Sequence, residues 1–299
     1  MVARLKIKSA LILTALGALA FAVACGGGGS TVSFSFDQQL PVLEQGDYEV
    51  WGIFGEEKVS VCKFDGSDGD NNAVECPSDR NLRNADRLVI TIEPENDTDP
   101  EPSGIVILEG PVTDGNQHPL TFPVDFKDAA GSYILKTPTS ADTTDDSSGI
   151  WFLQREEDGQ LAASLTLPAL PPGWIYEGWA VHRETPLSTG RFSTASGADD
   201  FSGFSGTDGD PAPPFPGEDF VMNAPASAPF VFPINLADGA SDAVISVEPD
   251  LNGTDPTGPD PFLPKPLKAN IRVGAFTDFT SYPLDLDLFS IPGADATIG

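Results

Sequence analysis

The residues with the chemistry of a cation site are carboxylates. Asp65, Asp68, Asp70 and Asn72 fall in one short stretch, and Asp68, Asp70 and Asn72 alternate as the first ligands of a calcium loop do. Ca²⁺ takes oxygen ligands from flexible loops of this kind. Ala73 stands where the turn glycine of such a loop belongs, so a solvated loop is the competing reading of Asp65, Asp68 and Asp70. Asp97, Asp99, Asp199, Asp200, Asp208 and Asp210 mark further acidic loops. The two histidines, His118 and His182, sit in no metal-ligand spacing and beside no nucleophile motif, and read as surface or edge residues. The chain has no Gly-x-Ser-x-Gly, no His-Glu-x-x-His and no phosphate-binding glycine loop. Acids are too numerous for a glycosidase-like pair to stand out. The chemistry points to binding, and the expectation is a protein that is not an enzyme.

Aromatic residues suggest what could be bound. Trp151, Trp174, Tyr176 and Trp179 could line a glycan platform. Trp51 and Trp179 recur at matching places on two strands, so each reads as a core tryptophan instead. Trp174 follows the turn Pro171-Pro172-Gly173 and is expected to be exposed, which leaves Trp174 and Tyr176 as the candidate platform. Glu93 and Glu248 recur before proline at strand ends, and read as loop anchors that bond backbone N–H groups.

The three cysteines speak to location. Arg4, Lys6 and Lys8 precede an uncharged run from Leu11 to Ala24, and Cys25 follows Ala22-Val23-Ala24. A basic start, an apolar stretch and small residues describe a secretory signal. The run is short of the roughly 20 residues that span a bilayer. A cysteine at this place resembles the bacterial lipoprotein signal, which implies lipidation at Cys25 and a flexible tether over residues 25–30. Ordinary cleavage after Ala24 is the alternative. An exported chain meets an oxidising compartment, where Cys62 and Cys76 are expected to pair.

The formal net charge is −29, which repels nucleic acid and anionic lipid and suits cations or simple solubility. Many Pro and Gly residues favour turns over long helices.

These residues are positioned by a duplicated pattern. Leu40-Pro41-Val42-Leu43, Gly46 and Tyr48-Glu49-Val50-Trp51 return as Leu167-Pro168-Ala169-Leu170, Gly173 and Tyr176-Glu177-Gly178-Trp179. Ser60 to Phe64 lies over Ser188 to Phe192, so Cys62 corresponds to Gly190. Ile90 to Pro94 corresponds to Ile245 to Pro249, and Leu120 to Phe126 resembles Leu284 to Phe289. Period-two alternation at Val32, Phe34 and Phe36, and at Leu88, Ile90 and Ile92, indicates half-buried antiparallel strands. The expected fold is all-β: two tandem antiparallel β-sandwich (Ig-like) domains after a signal helix at 1–24. The first covers 31–130. The second covers 131–299 and carries a Gly/Asp/Pro-rich surface loop between Phe192 and Phe230.

The repeated pattern resembles the extracytoplasmic C-terminal domain of anti-sigma-K factors. The second copy is the closer, through Tyr176, Trp179, Gly190, Phe192, Glu248, Pro249 and Asp255-Pro256-Thr257-Gly258. The first replaces the glycine with Cys62 and ends in Glu101-Pro102-Ser103-Gly104. The resemblance implies a β-sandwich module that binds or senses an envelope component. The sigma-binding region and membrane helix of such regulators have no counterpart here, so no direct sigma-factor binding is expected.

The sequence therefore reads as a lipid-anchored envelope protein, at the outer membrane or periplasmic face, with a protein or glycan partner. A calcium-assisted carbohydrate-binding or adhesive module is the alternative.

Overall fold

The computed structural model describes residues 29–66, 72–251, 253–275 and 279–299. The fold is all-β, with antiparallel pairing throughout and no α-helix among the described residues. The signal segment lies outside the described residues.

The first sheet is nearly closed. Its eight strands are β1 (Ser30–Phe36), β2 (Asp47–Phe54), β3 (Glu57–Phe64), β4 (Ala73–Ser78), β5 (Arg87–Glu93), β6 (Val106–Pro111), β7 (Gln117–Thr121) and β19 (Gly293–Ile298). Their order is β3-β2-β5-β6-β7-β19-β1-β4. The alternating apolar residues of these strands, among them Phe34, Tyr48, Ile90 and Leu120, are buried in one core. The edge strands β3 and β4 come together through a Cys62–Cys76 disulfide, with Cα atoms 5.7 Å apart.

The second half repeats this order with one interruption. Five strands, β12 (Trp174–His182), β13 (Thr185–Phe192), β15 (Ser241–Pro249), β16 (Leu267–Asn270) and β18 (Asp285–Leu286), run β13-β12-β15-β16-β18. Four more, β8 (Ser132–Leu135), β9 (Gly149–Trp151), β14 (Gly217–Asp219) and β17 (Tyr282–Pro283), run β14-β9-β8-β17. Read as one strand broken at Leu284, β17 and β18 give the second half the strand order of the first. The remaining strands, β10 (Leu153–Arg155) and β11 (Leu161–Ala163), form a separate ribbon.

Two expectations change here. The halves are not confirmed as Ig-like sandwiches: the first is a nearly closed sheet, and the second is the same arrangement opened at Leu284. The chain also does not part cleanly at residue 131. β8 follows β7 in sequence yet pairs with β9 and β17, while β19 follows β18 yet pairs with β7 and β1. Each half thus gives its closing strand to the other, and the two share one apolar core. The loop between Phe192 and Phe230 is more than surface. It contains β14, and Phe220 is fully buried and packs against Phe204 and Phe232.

The duplication holds residue by residue. Tyr48 pairs across strands with Ile92 and Val50 with Ile90, as Tyr176 pairs with Val247 and Gly178 with Ile245. Each Tyr hydroxyl donates to the carbonyl of its Leu-Pro turn, Tyr48 to Pro41 at 2.9 Å and Tyr176 to Pro168 at 2.6 Å. Each ring stacks on the matching Phe, at 5.3 Å for Phe64 and 5.8 Å for Phe192. Both copies break register beside the tryptophan, at Val50/Trp51 and at Gly178/Trp179.

Candidate functional site

Trp51 and Trp179 are buried, but on the sheet face opposite Tyr48 and Tyr176. Strand alternation sets Glu49, Trp51 and Ile53 on that face in the first half, and Glu177, Trp179 and Val181 in the second. A polar relay recurs there. Trp51 Nε1 donates to Thr91 Oγ1 at 2.9 Å, Thr91 donates to Glu93, and Glu93 accepts Ser103 N–H at 2.9 Å. In the second half Trp179 Nε1 donates to Ser246 Oγ at 2.7 Å, Ser246 donates to Glu248, and Glu248 accepts Phe262 N–H at 3.0 Å. Glu93 and Glu248 therefore anchor loops, as the sequence suggested. Burial pushes Glu93 up, and Glu248 up to about 8.

The halves diverge at the neighbouring acid. Ser60 donates to Glu49 and Ser188 to Glu177. Lys63 lies 3.3 Å from Glu49, whereas its counterpart Arg191 reaches Asp250 instead, at 3.3 Å. Glu177 faces a hollow of about 320 Å³ walled by Trp179, Leu187, Arg191 and Pro259, and burial, offset only in part by Ser188 and Arg191, pushes it up to about 7.

A larger cavity of about 640 Å³ shares Pro186 with that hollow. Val181, Val244 and Ala269 supply apolar surface from three adjacent strands, and Pro186 and Pro261 add more. The charged lining has both signs: Glu184, Asp242, Asp260 and Asp285, with Lys265 and Lys268. Lys268 pairs with Asp287 at 2.6 Å. Lys265 is half-buried and makes none of the ion pairs found among the described residues, and burial pushes its amine down. An apolar hollow with a few fixed polar groups is the usual form of a small-ligand site.

The residues singled out from sequence fare differently. Cys62 and Cys76 are bonded. Trp174 and Tyr176 form no platform: both are buried, Trp174 between Phe122 and Phe262 with ring centroids 5.0 and 6.1 Å away. Phe122 comes from the first half, so the neighbour that covers Trp174 is invisible in the local sequence. His118 and His182 are buried rather than superficial; His118 Nδ1 accepts Thr113 N–H at 3.1 Å, and His182 Nδ1 lies 2.8 Å from Ser241 Oγ. Cys25, Asp68 and Asp70 lie outside the described residues, and Asp65 is described without them. Asp97 and Asp99 accept backbone N–H groups two residues on. No metal-holding group of three His, Cys, Asp or Glu occurs among the described residues.

Asp199 has a role that the acidic-loop reading missed. It packs on Gly190, where a Cβ would fall 2.5 Å from its Cγ, and accepts Gly217 N–H at 2.8 Å and Phe201 N–H at 3.2 Å. Gly190 occupies the place of Cys62, and Gly217 opens β14. Asp199 thus ties β13 to β14 where the disulfide ties β3 to β4. Burial pushes Asp199 and Glu218 up to about 7, and Asp219 up to about 6.

The chain matches no family model, no curated protein and no solved structure. Among the described residues no helix is long and apolar enough to cross a membrane.

Proposed function

We propose that this chain is an exported cell-envelope lipoprotein, anchored through Cys25, whose second half binds an envelope component without catalysis. The signal-like segment and the pairing of Cys62 with Cys76 support export, because disulfides persist in oxidising compartments. The repeated relay supports two modules of one ancestry, in keeping with the anti-sigma-K-like pattern. The observation that carries the binding role is the cavity of about 640 Å³ on the outer face of the second half. Its lining has no Ser, Thr, Cys, His or Tyr side chain, and we take its lysines as charge partners for a ligand rather than as nucleophiles.

Two measurements test the reading. The mature N-terminal peptide should carry acyl chains on Cys25, and an unmodified Cys25 would remove the anchor. Envelope fragments titrated into the purified protein should shift the methyl resonances of Val181, Val244 and Ala269. Unchanged methyls with every fragment class would remove the binding site.

A further inference from the structure

We infer that the cavity over Val181 and Val244 takes a zwitterionic peptide-like ligand, its carboxylate on Lys265 and its ammonium among Asp242, Asp260 and Asp285. The inference rests on the binding role assigned above and adds the chemical class.

The charges on the lining are committed unequally. Lys268 is held by Asp287 at 2.6 Å, and Asn270 donates to Asp242. Asp260 and Asp285 are exposed and take part in none of the ion pairs found among the described residues. Lys265 is the cation set deepest, half-buried beside Pro261 and likewise without an ion pair. An ammonium withdrawn from water without a directly paired carboxylate is costly, and a ligand carboxylate in contact with it would relieve that cost. Burial pushes the Lys265 amine down even though Glu248, Asp287 and Asp260 act on it in the opposite sense.

A purely anionic ligand would meet four carboxylates on the lining, Glu184 among them, and a chain of net charge −29. A purely cationic one would leave Lys265 buried against it. A ligand with both charges and an aliphatic body satisfies each group, and the negative field steers its ammonium end to the rim. A cavity of about 640 Å³ holds such a molecule.

The probes are the free dipeptide Leu-Leu, its N-acetyl form and its C-terminal amide, each titrated into the full chain by methyl NMR. Leu-Leu should bind at the Val181, Val244 and Ala269 methyls, and capping either end should weaken it about tenfold or more. In Lys265→Met, free Leu-Leu and its amide should bind alike, while the N-acetyl form stays weak. Equal binding of all three probes to the natural chain overturns the inference, as does no binding of Leu-Leu. If Leu-Leu fails but envelope fragments still shift the same methyls, the class is wrong and the binding role stands. If neither shifts them, both fall.

Discussion

At the scale of residues, the repeated unit is defined by a chain of polar groups as much as by its apolar core. An indole N–H, a hydroxyl, a carboxylate and a loop N–H are linked in order in both halves, each satisfied by the next. Truncating the indole removes a large packed surface and leaves the hydroxyl short of a donor. Trp51→Ala and Trp179→Ala should each cost about 3–5 kcal/mol, read from denaturant midpoints. The buried acids also set a pH dependence. Glu177, Asp199 and Glu218 are pushed up to about 7 and Glu248 to about 8, so the folded chain holds protons that the unfolded chain releases. Stability then falls as pH rises through the folded values. Tm should be higher at pH 5 than at pH 8.5, and a Glu177→Gln, Glu248→Gln double variant should flatten that slope. Sequence made the relay partly legible, because Glu93 and Glu248 recur before proline at strand ends. It misled at Trp174, where a Pro-Pro-Gly turn reads as surface but Phe122 arrives from the other half to cover it.

At the scale of elements, the two halves close the same seam by different chemistry. Cys62 on β3 bonds Cys76 on β4, whereas Asp199 beside Gly190 on β13 accepts the N–H that opens β14. The covalent tie acts largely on the unfolded chain. Its two cysteines are 14 residues apart, and the chain-entropy model assigns about 3 kcal/mol to a loop of that size. The Cys62→Ser, Cys76→Ser variant should lose an amount of that order. The Asp199 tie acts on the folded chain, and Asp199→Ala should cost about 1–3 kcal/mol by stranding the Gly217 N–H. Hydrogen exchange locates the damage: protection should fall along β3 and β4 in the first variant, and along β13 and β14 in the second. The cysteine pair was legible because only two cysteines remain once Cys25 is set aside. Asp199 was not, because one aspartate among many in an acidic loop carries no mark of the glycine it packs against. The cavity was equally hidden, since Val181 and Val244 look like ordinary strand residues.

At the scale of the whole molecule, the exchange of β8 and β19 makes the two halves one folding unit. β19 lies between β7 and β1, so without it the first sheet has an open gap rather than a closed wall. The strand is a modest one, with Ala294, Ala296 and Ile298 as its inward residues, and its weak apolar signal hid the return from sequence. Residues 29–126 alone should therefore fail to fold, despite containing the complete repeated pattern. Geometry supplies the remedy. Gly299 N–H donates to Thr31 O at 2.7 Å, so the end of β19 already adjoins the start of β1. Placing residues 292–299 ahead of Thr31 through a tight two-residue turn converts that pair into a hairpin. The rearranged chain, ending at residue 126, should fold alone, with dispersed amide resonances and a cooperative melt. If residues 29–126 fold equally well without the added strand, β19 is an accessory to the first sheet and the halves are independent domains. If the rearranged chain stays unfolded, the shared core at Phe122 and Trp174, rather than the missing strand, holds the first half together.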